Sequence, residues 1–98
     1  MNPIQAKLYQ FKATDTFWNH FYALPPAQKE LTRAVWARFK ANPFDLRLRP
    51  HKIHALSARA KETIHSVEID HDLRVVFCVR GKVIYTIDIG THAIYSRG

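Results

Sequence analysis

A chain of 98 residues with one cysteine cannot close a disulfide of its own. Cys78 stands in the apolar run LRVVFCV, where a small buried thiol is expected and a nucleophile is not. No stretch approaches the roughly 20 apolar residues that a membrane span needs. Residues 1–10 lack the basic-then-apolar order of a secretory leader, so the expected compartment is the cytoplasm and no membrane partner is expected. There is no internal repeat, no low-complexity segment and no HExxH. His51-x-x-His54 has ligand spacing, but no second cysteine and no obvious carboxylate accompany it, so neither a metal nor a cofactor is expected. The length suits one compact domain over residues 1–98.

Acids are also scarce. Eight Asp and Glu stand against fifteen Lys and Arg, a net charge of +7, which suits a polyanionic partner such as nucleic acid or the ribosome. From Leu46 to Lys61 the chain carries Arg47, Arg49, Lys52, Arg59 and Lys61, with His51 and His54, and no acid at all. These residues are the expected phosphate contacts.

The elements follow from spacing. "AKLYQFKAT" alternates around Leu8 and Phe11 and reads as a first strand. Asp15 is placed to cap a helix over "TFWNHFYAL", whose Phe17, Trp18, Phe21 and Tyr22 recur at helical spacing and are expected in the core. Pro25 and Pro26 end that helix and start a second, in which Leu31, Ala34, Val35 and Phe39 form the apolar stripe opposite Lys29, Glu30, Thr32, Arg33 and Lys40. Asn42-Pro43 stops it. Ile64 to Asp70 then alternates, with His65, Val67 and Ile69 on one face and Ser66, Glu68 and Asp70 on the other. After a turn at His71-Asp72, Leu73 to Val79 is apolar at nearly every position, the pattern of a central strand covered on both sides. The fold class is therefore α+β: an N-terminal strand, an antiparallel helical hairpin, then antiparallel strands forming a small twisted sheet.

A three-residue loop at Arg80-Gly81-Lys82 pairs Val79 with Val83, Phe77 with Tyr85, Val75 with Ile87 and Leu73 with Ile89, all toward the core. It also sets Arg74 opposite Asp88, Val76 opposite Thr86 and Cys78 opposite Ile84. The second face then carries Ser66, Glu68, Arg74 and Asp88, with His92 and Tyr95 beyond Gly90 and the basic segment as a wall. That inventory suits cleavage of RNA by its own 2′-OH. One imidazole takes or gives a proton near neutral pH, an arginine holds the phosphate oxygens, and an aromatic ring stacks on an unpaired base.

Three stretches, "LPPAQKELTRAVWARFKANP", "RPHKIHALSARAKETIHSVEIDHDLRVVF" and "IYTIDIGTHAIYSRG", in this order, resemble the RelE/ParE superfamily of toxin-antitoxin modules, with the last similar to the YafQ-like and plasmid-stabilisation branch. The resemblance implies a metal-independent endoribonuclease that cleaves mRNA, often on the ribosome, and is held inactive by a cognate antitoxin. It implies that Arg74 contacts the scissile phosphate, that His92 of the "GTH" segment does acid-base work, that Tyr95 stands near the family's implicated aromatic, and that His51 matches the histidine of the basic segment. Ser66 and Glu68 stand where RelE has lysines, which excludes that lysine scheme; Glu68 is a candidate base, as a glutamate is in the YoeB branch. Two alternatives from the same superfamily are a ParE-like gyrase poison and an inactive binding module.

Overall fold

The computed structural model of the chain describes residues 9–95, with the backbone but not the side chain of His92. Leu8, expected in the first strand, lies outside the described residues. Five strands, β1 (Gln10–Ala13), β2 (His51–Lys52), β3 (His65–Asp70), β4 (Leu73–Arg80) and β5 (Val83–Gly90), form one sheet in the order β1-β5-β4-β3-β2. β1 runs parallel to β5 and every other pair is antiparallel. Helices α1 (Asp15–Tyr22) and α2 (Pro26–Ala41) pack on one side of the sheet; α3 (His54–Ala60) follows β2. The architecture is the expected α+β one. The basic segment, read from sequence only as a charged run, forms a 3-10 turn at Leu46–Leu48, the edge strand β2 and helix α3.

The helix cap is Thr14, one residue before the expected Asp15. Its Oγ1 accepts the Phe17 N–H at 3.0 Å and donates to the Ile87 carbonyl at 2.6 Å, so one hydroxyl closes α1 and ties it to β5. The aromatic stripe is only half core: Phe17 and Phe21 are buried, whereas Trp18 and Tyr22 stack on each other at the surface. α2 starts at Pro26 as expected, but its buried side is turned from the expected stripe. Thr32 is buried and Leu31 and Ala34 are exposed. A threonine is tolerated inside because its hydroxyl donates back to the Gln28 carbonyl at 2.7 Å. That rotation brings Trp36 and Phe39 over Phe17 and Phe77.

The β4–β5 register also differs. Arg80 pairs with Val83 across a two-residue turn, and a bulge at Ile87 shifts the ladder, so Val76 faces Asp88, Val75 faces Ile89 and Arg74 faces Gly90. Gly81 has φ +60° while Lys82 does not enter the left-handed region, the pattern of a II′ turn that matches the twist of a hairpin. The two-residue turn puts Ile84 on the helix side, and the bulge, by inserting one residue into β5, puts Ile89 there too, while Tyr85 and Ile87 join a second cluster with Ile64, Val76, Cys78 and Ile94 on the other side. The expected Arg74–Asp88 pair is overturned by the shorter turn and the bulge together, each of which shifts the register by one residue. β4 is central and buried on both sides, as its nearly continuous apolar run implied.

Two consequences concern stability. Thr86 pairs with Phe77, and its Oγ1 is buried with no hydrogen-bond partner among the described residues. A buried hydroxyl of this kind costs roughly 1–3 kcal/mol of desolvation. Thr86→Val is therefore expected to raise stability by about 1 kcal/mol, read as a higher midpoint in urea unfolding at unchanged slope.

His65 lies between the rings of Phe44 and Phe77, at 5.1 and 5.2 Å. Burial, with the facing Lys52 second, holds its pKa below the ordinary 6.5. As pH falls, the unfolded chain takes this proton before the folded one does. The contribution is present above pH 6.5 and lost as pH falls through the folded value. His65→Phe should keep the ring packing and lose less stability below pH 6.5 than the parent, measured by urea unfolding across pH.

Candidate active site

Alternation along β3 sends Ser66 and Glu68 to the face opposite Val67 and Ile69, and a bulge between Glu68 and Asp70 shifts its register against β4. Register then adds partners to that face: Arg74 opposite Glu68 and His51 opposite Ser66. The Arg74 side chain is 7% exposed, and its Nη1 donates to the Asp70 carbonyl at 2.6 Å. Its Nη2 lies 3.1 Å from Glu68 Oε1, and the other Glu68 oxygen lies 3.5 Å from Arg49 Nε. A half-buried carboxylate thus sits between two guanidinium groups.

Arg49 reaches Glu68 from a left-handed backbone, φ 50°, at the end of the Leu46–Leu48 turn. A non-glycine residue pays on the order of 1–3 kcal/mol there, and the conformation turns the chain from the 3-10 turn into Pro50 and β2. Two residues on, His51 Nδ1 is 3.1 Å from the Arg49 carbonyl. A carbonyl only accepts, so Nδ1 carries the hydrogen and Nε2 holds the lone pair, on an exposed ring. Tyr95 closes the group: its hydroxyl is 2.9 Å from Ser66 Oγ, and its carbonyl accepts from Arg59 Nη2 at 2.8 Å. The tyrosine fastens the tail to the sheet while keeping its half-buried ring beside the basic segment.

The structure thus brings together five expected residues: Arg74, Glu68, His51, Tyr95 and Arg49. Lys52, His54 and Lys61 are exposed on β2, α3 and the residue following α3. Arg47 is committed to Asp45, at 2.7 Å, and its hydrogen bonds hold that carboxyl down at about 2, so it is the least available of the expected phosphate contacts. The His92 side chain, the centre of the sequence reading, lies outside the described residues. Asp88 does not meet Arg74: its Oδ1 is 2.6 Å from His20 Nδ1, a residue of α1 to which the sequence reading gave no role. The signal that could have flagged His20 is its place three residues after Phe17, at the margin of the buried stripe.

A cleft of ≈ 220 Å³ adjoins the site, lined by Leu56, Arg59, Ile64, Val76, Asp88 and Ile94. Among the described residues no group of three His, Cys, Asp or Glu side chains stands close enough to hold a metal, and no helix is long and apolar enough to cross a membrane.

No family model matches the sequence, and no curated protein matches it. The likeness is in the fold. The RelE of the archaeal RelE–RelB complex from Pyrococcus horikoshii OT3 is similar at TM-score 0.66 and 16% identity, over 93% of this chain and 99% of that one. YafQ from E. coli strain BL21(DE3) gives 0.67 and 13%, over 92% and 99%. The conserved protein HP0894 from Helicobacter pylori gives 0.59 and 18%, over 87% and 96%. Alignment at TM-scores of 0.66 and 0.67 over nearly the whole of each chain leads to one statement: the chain has the RelE-like toxin fold.

Proposed function

We propose that this chain is the toxin of a toxin-antitoxin pair, an endoribonuclease that cleaves mRNA without a metal ion and is neutralised by a cognate antitoxin. The fold likeness supports the toxin reading, since the similar structures include RelE with RelB and YafQ with DinJ. The observation that carries the nuclease reading is the Glu68 carboxylate held between Arg74 and Arg49. A phosphodiester is an anion of similar demand. By taking the place of Glu68 it would keep both guanidinium partners while gaining their charge. Glu68, expected as a catalytic base, is in this reading the positioning carboxylate that keeps the two arginines apart and aimed until RNA arrives.

Arg74 and Arg49 then stabilise charge on the phosphate, and His51 offers an exposed imidazole of fixed tautomer for proton transfer. His92, by its place in the "GTH" segment, is a second proton carrier. The Tyr95 ring stacks on an unpaired base, and the exposed Lys52, His54, Arg59 and Lys61 track the backbone. The ribosome supplies mRNA in the required single-stranded form, and the +7 charge suits that setting. The test is expression of the protein in growing cells with mapping of mRNA 5′ ends. New ends within translated regions, suppressed by co-expression of the neighbouring small reading frame, are expected. Growth arrest with intact mRNA and inhibited gyrase would overturn the reading in favour of a ParE-like poison.

A further inference from the structure

The ≈ 220 Å³ cleft beside the site takes no part in the arginine clamp, and register fixes its distance from it. Val76 lines the cleft and stands two residues along β4 from Arg74, on the same face. The partner of Val76 on β3 is Ser66, which stands two residues from Glu68. Both strands therefore lead from the clamp to the cleft in one alternation, about 7 Å at ordinary strand rise. That is the span of a single nucleotide from phosphate to base, so an RNA whose phosphate lies between Arg74 and Arg49 has a base within reach of the cleft.

The lining says what can enter. Leu56 of α3, Ile64, Val76 and Ile94 are aliphatic, and the half-buried Tyr95 packs against the same cluster. Such walls hold the faces of a flat ring and give a phosphate no donors. At the buried end the Asp88 carboxylate, 7% exposed, repels an anion, so the cleft suits a neutral base and leaves the backbone to the arginines. A volume of ≈ 220 Å³ is smaller than the roughly 300–1,000 Å³ of pockets that take drug-sized ligands, and it fits one ring system rather than a nucleotide. At the exposed end stands Arg59, whose Nη2 donates to the Tyr95 carbonyl at 2.8 Å. That bond uses one of five N–H groups and orients the guanidinium, and no acid pairs with it among the described residues. A fork of parallel donors is matched by two adjacent acceptors. Guanine presents them as O6 and N7; adenine has an amino group beside N7, and the pyrimidines have no N7.

We propose that this cleft is a base-binding subsite of the ribonuclease that selects a guanine flanking the scissile phosphate, with Arg59 as the specificity-determining residue; this rests on the nuclease reading above. The guanine ring lies among the aliphatic side chains, and its O6 and N7 accept from the Arg59 fork. Arg59 thereby does more than follow the backbone. Its bond to the Tyr95 carbonyl, and the Tyr95 hydroxyl on Ser66, keep the reading group and the cleft wall in one fixed relation to the clamp.

The experiment measures cleavage by the full chain in a translating extract, on mRNAs that differ only in the bases flanking the cut: guanine, adenine, cytosine, uracil or 7-deazaguanine. The parent is expected to cut guanine sites with kcat/KM about tenfold or more above the other three natural bases, the discrimination of one bidentate arginine contact. 7-Deazaguanine, which lacks N7, should fall to the level of adenine. Arg59→Lys keeps the charge and a donor for the Tyr95 carbonyl but not the fork, and should cut guanine sites within about threefold of adenine sites. Ala60→Phe, an exposed change in the cleft wall, should raise KM at guanine sites about tenfold with an unchanged melting curve. The exposed control Glu30→Gln should cleave like the parent, and Arg74→Ala should lose cleavage at every base. No base preference in the parent, preference for another base, or a guanine preference that survives both Arg59→Lys and 7-deazaguanine overturns the assignment while the Arg74-dependent nuclease stands. No cleavage by the parent overturns both.

Discussion

Arg74→Ala is expected to reduce mRNA cleavage by about a thousandfold while the protein remains folded and still binds its antitoxin. The size follows from position. Removing one preorganised charge-stabilising donor typically costs a hundred- to a thousandfold in rate, and Arg74 is the guanidinium with the most fixed geometry in the site. It is anchored through Nη1 to the Asp70 carbonyl, so its head is already oriented when phosphate arrives. Arg49, exposed and on a strained backbone, cannot take over alone. Arg74→Lys should recover little, because an ammonium cannot hold the carbonyl and a phosphate in one plane. Unlike Arg74, Glu68 is only half-buried, so removing Arg74 leaves a carboxylate that water can reach, and folding survives. The measurement is the rate of cleavage in a translating extract, with a melting curve for each variant. Cleavage within tenfold of the parent would exclude Arg74 as the clamp.

Phe77→Ala is expected to be the most destabilising single truncation. The ring is 0% exposed at the middle of the central strand and meets Phe39 at 5.1 Å, Phe44 at 5.7 Å and His65 at 5.2 Å. It is the point at which α2, the segment before the 3-10 turn and β3 converge. Truncating such a phenylalanine costs about 3–5 kcal/mol, against a total of roughly 5–15 for a domain. The melting temperature should fall by roughly 15–30 °C. A fall below about 5 °C would mean that these rings do not share one core. Because Phe77 lies on the helix side, its loss should act on activity only through the folded fraction.

Much of this was legible in the residues. The run from Leu73 to Val79, apolar at every position but Arg74, reads as a strand covered on both sides, and it is β4, the centre of the sheet. Pro25-Pro26 divided the two helices because proline suits the first helical turn and resists the last. Alternation put Glu68 and Arg74 on one face, but the turn at His71-Asp72 alone would pair Arg74 with Ile69; a bulge between Glu68 and Asp70 sets Glu68 opposite Arg74, and that pair is the heart of the site. Other features were hidden for physical reasons. Thr14 and Asp15 are both good caps, and only the fold reveals that Thr14 has a second partner in Ile87. Burial of Thr32 depends on a hydroxyl bonding its own helix, which periodicity counts as polar. Above all, the bulge in β5 has no local signature. The shorter turn exchanged the faces of Ile84 and Tyr85, and with the inserted residue it moved Asp88 from Arg74 to Val76, where it meets His20. Both ladders of β4 carry a shift: across β3 it left Glu68 and Arg74 on the face that alternation gave them, and across β5, with the shorter turn, it displaced the partners.

The central claim is that the two arginines around Glu68 hold a phosphodiester that is cleaved by its own 2′-OH. The chemistry of the new ends tests it most directly. A translating extract treated with the purified chain, after ribosomes have been loaded, is probed for end groups on the cut mRNA. The account predicts 2′,3′-cyclic phosphates upstream and 5′-hydroxyls downstream, formed by the parent and not by Arg74→Ala. Intact mRNA, or fragments that carry 5′-phosphates, would contradict it.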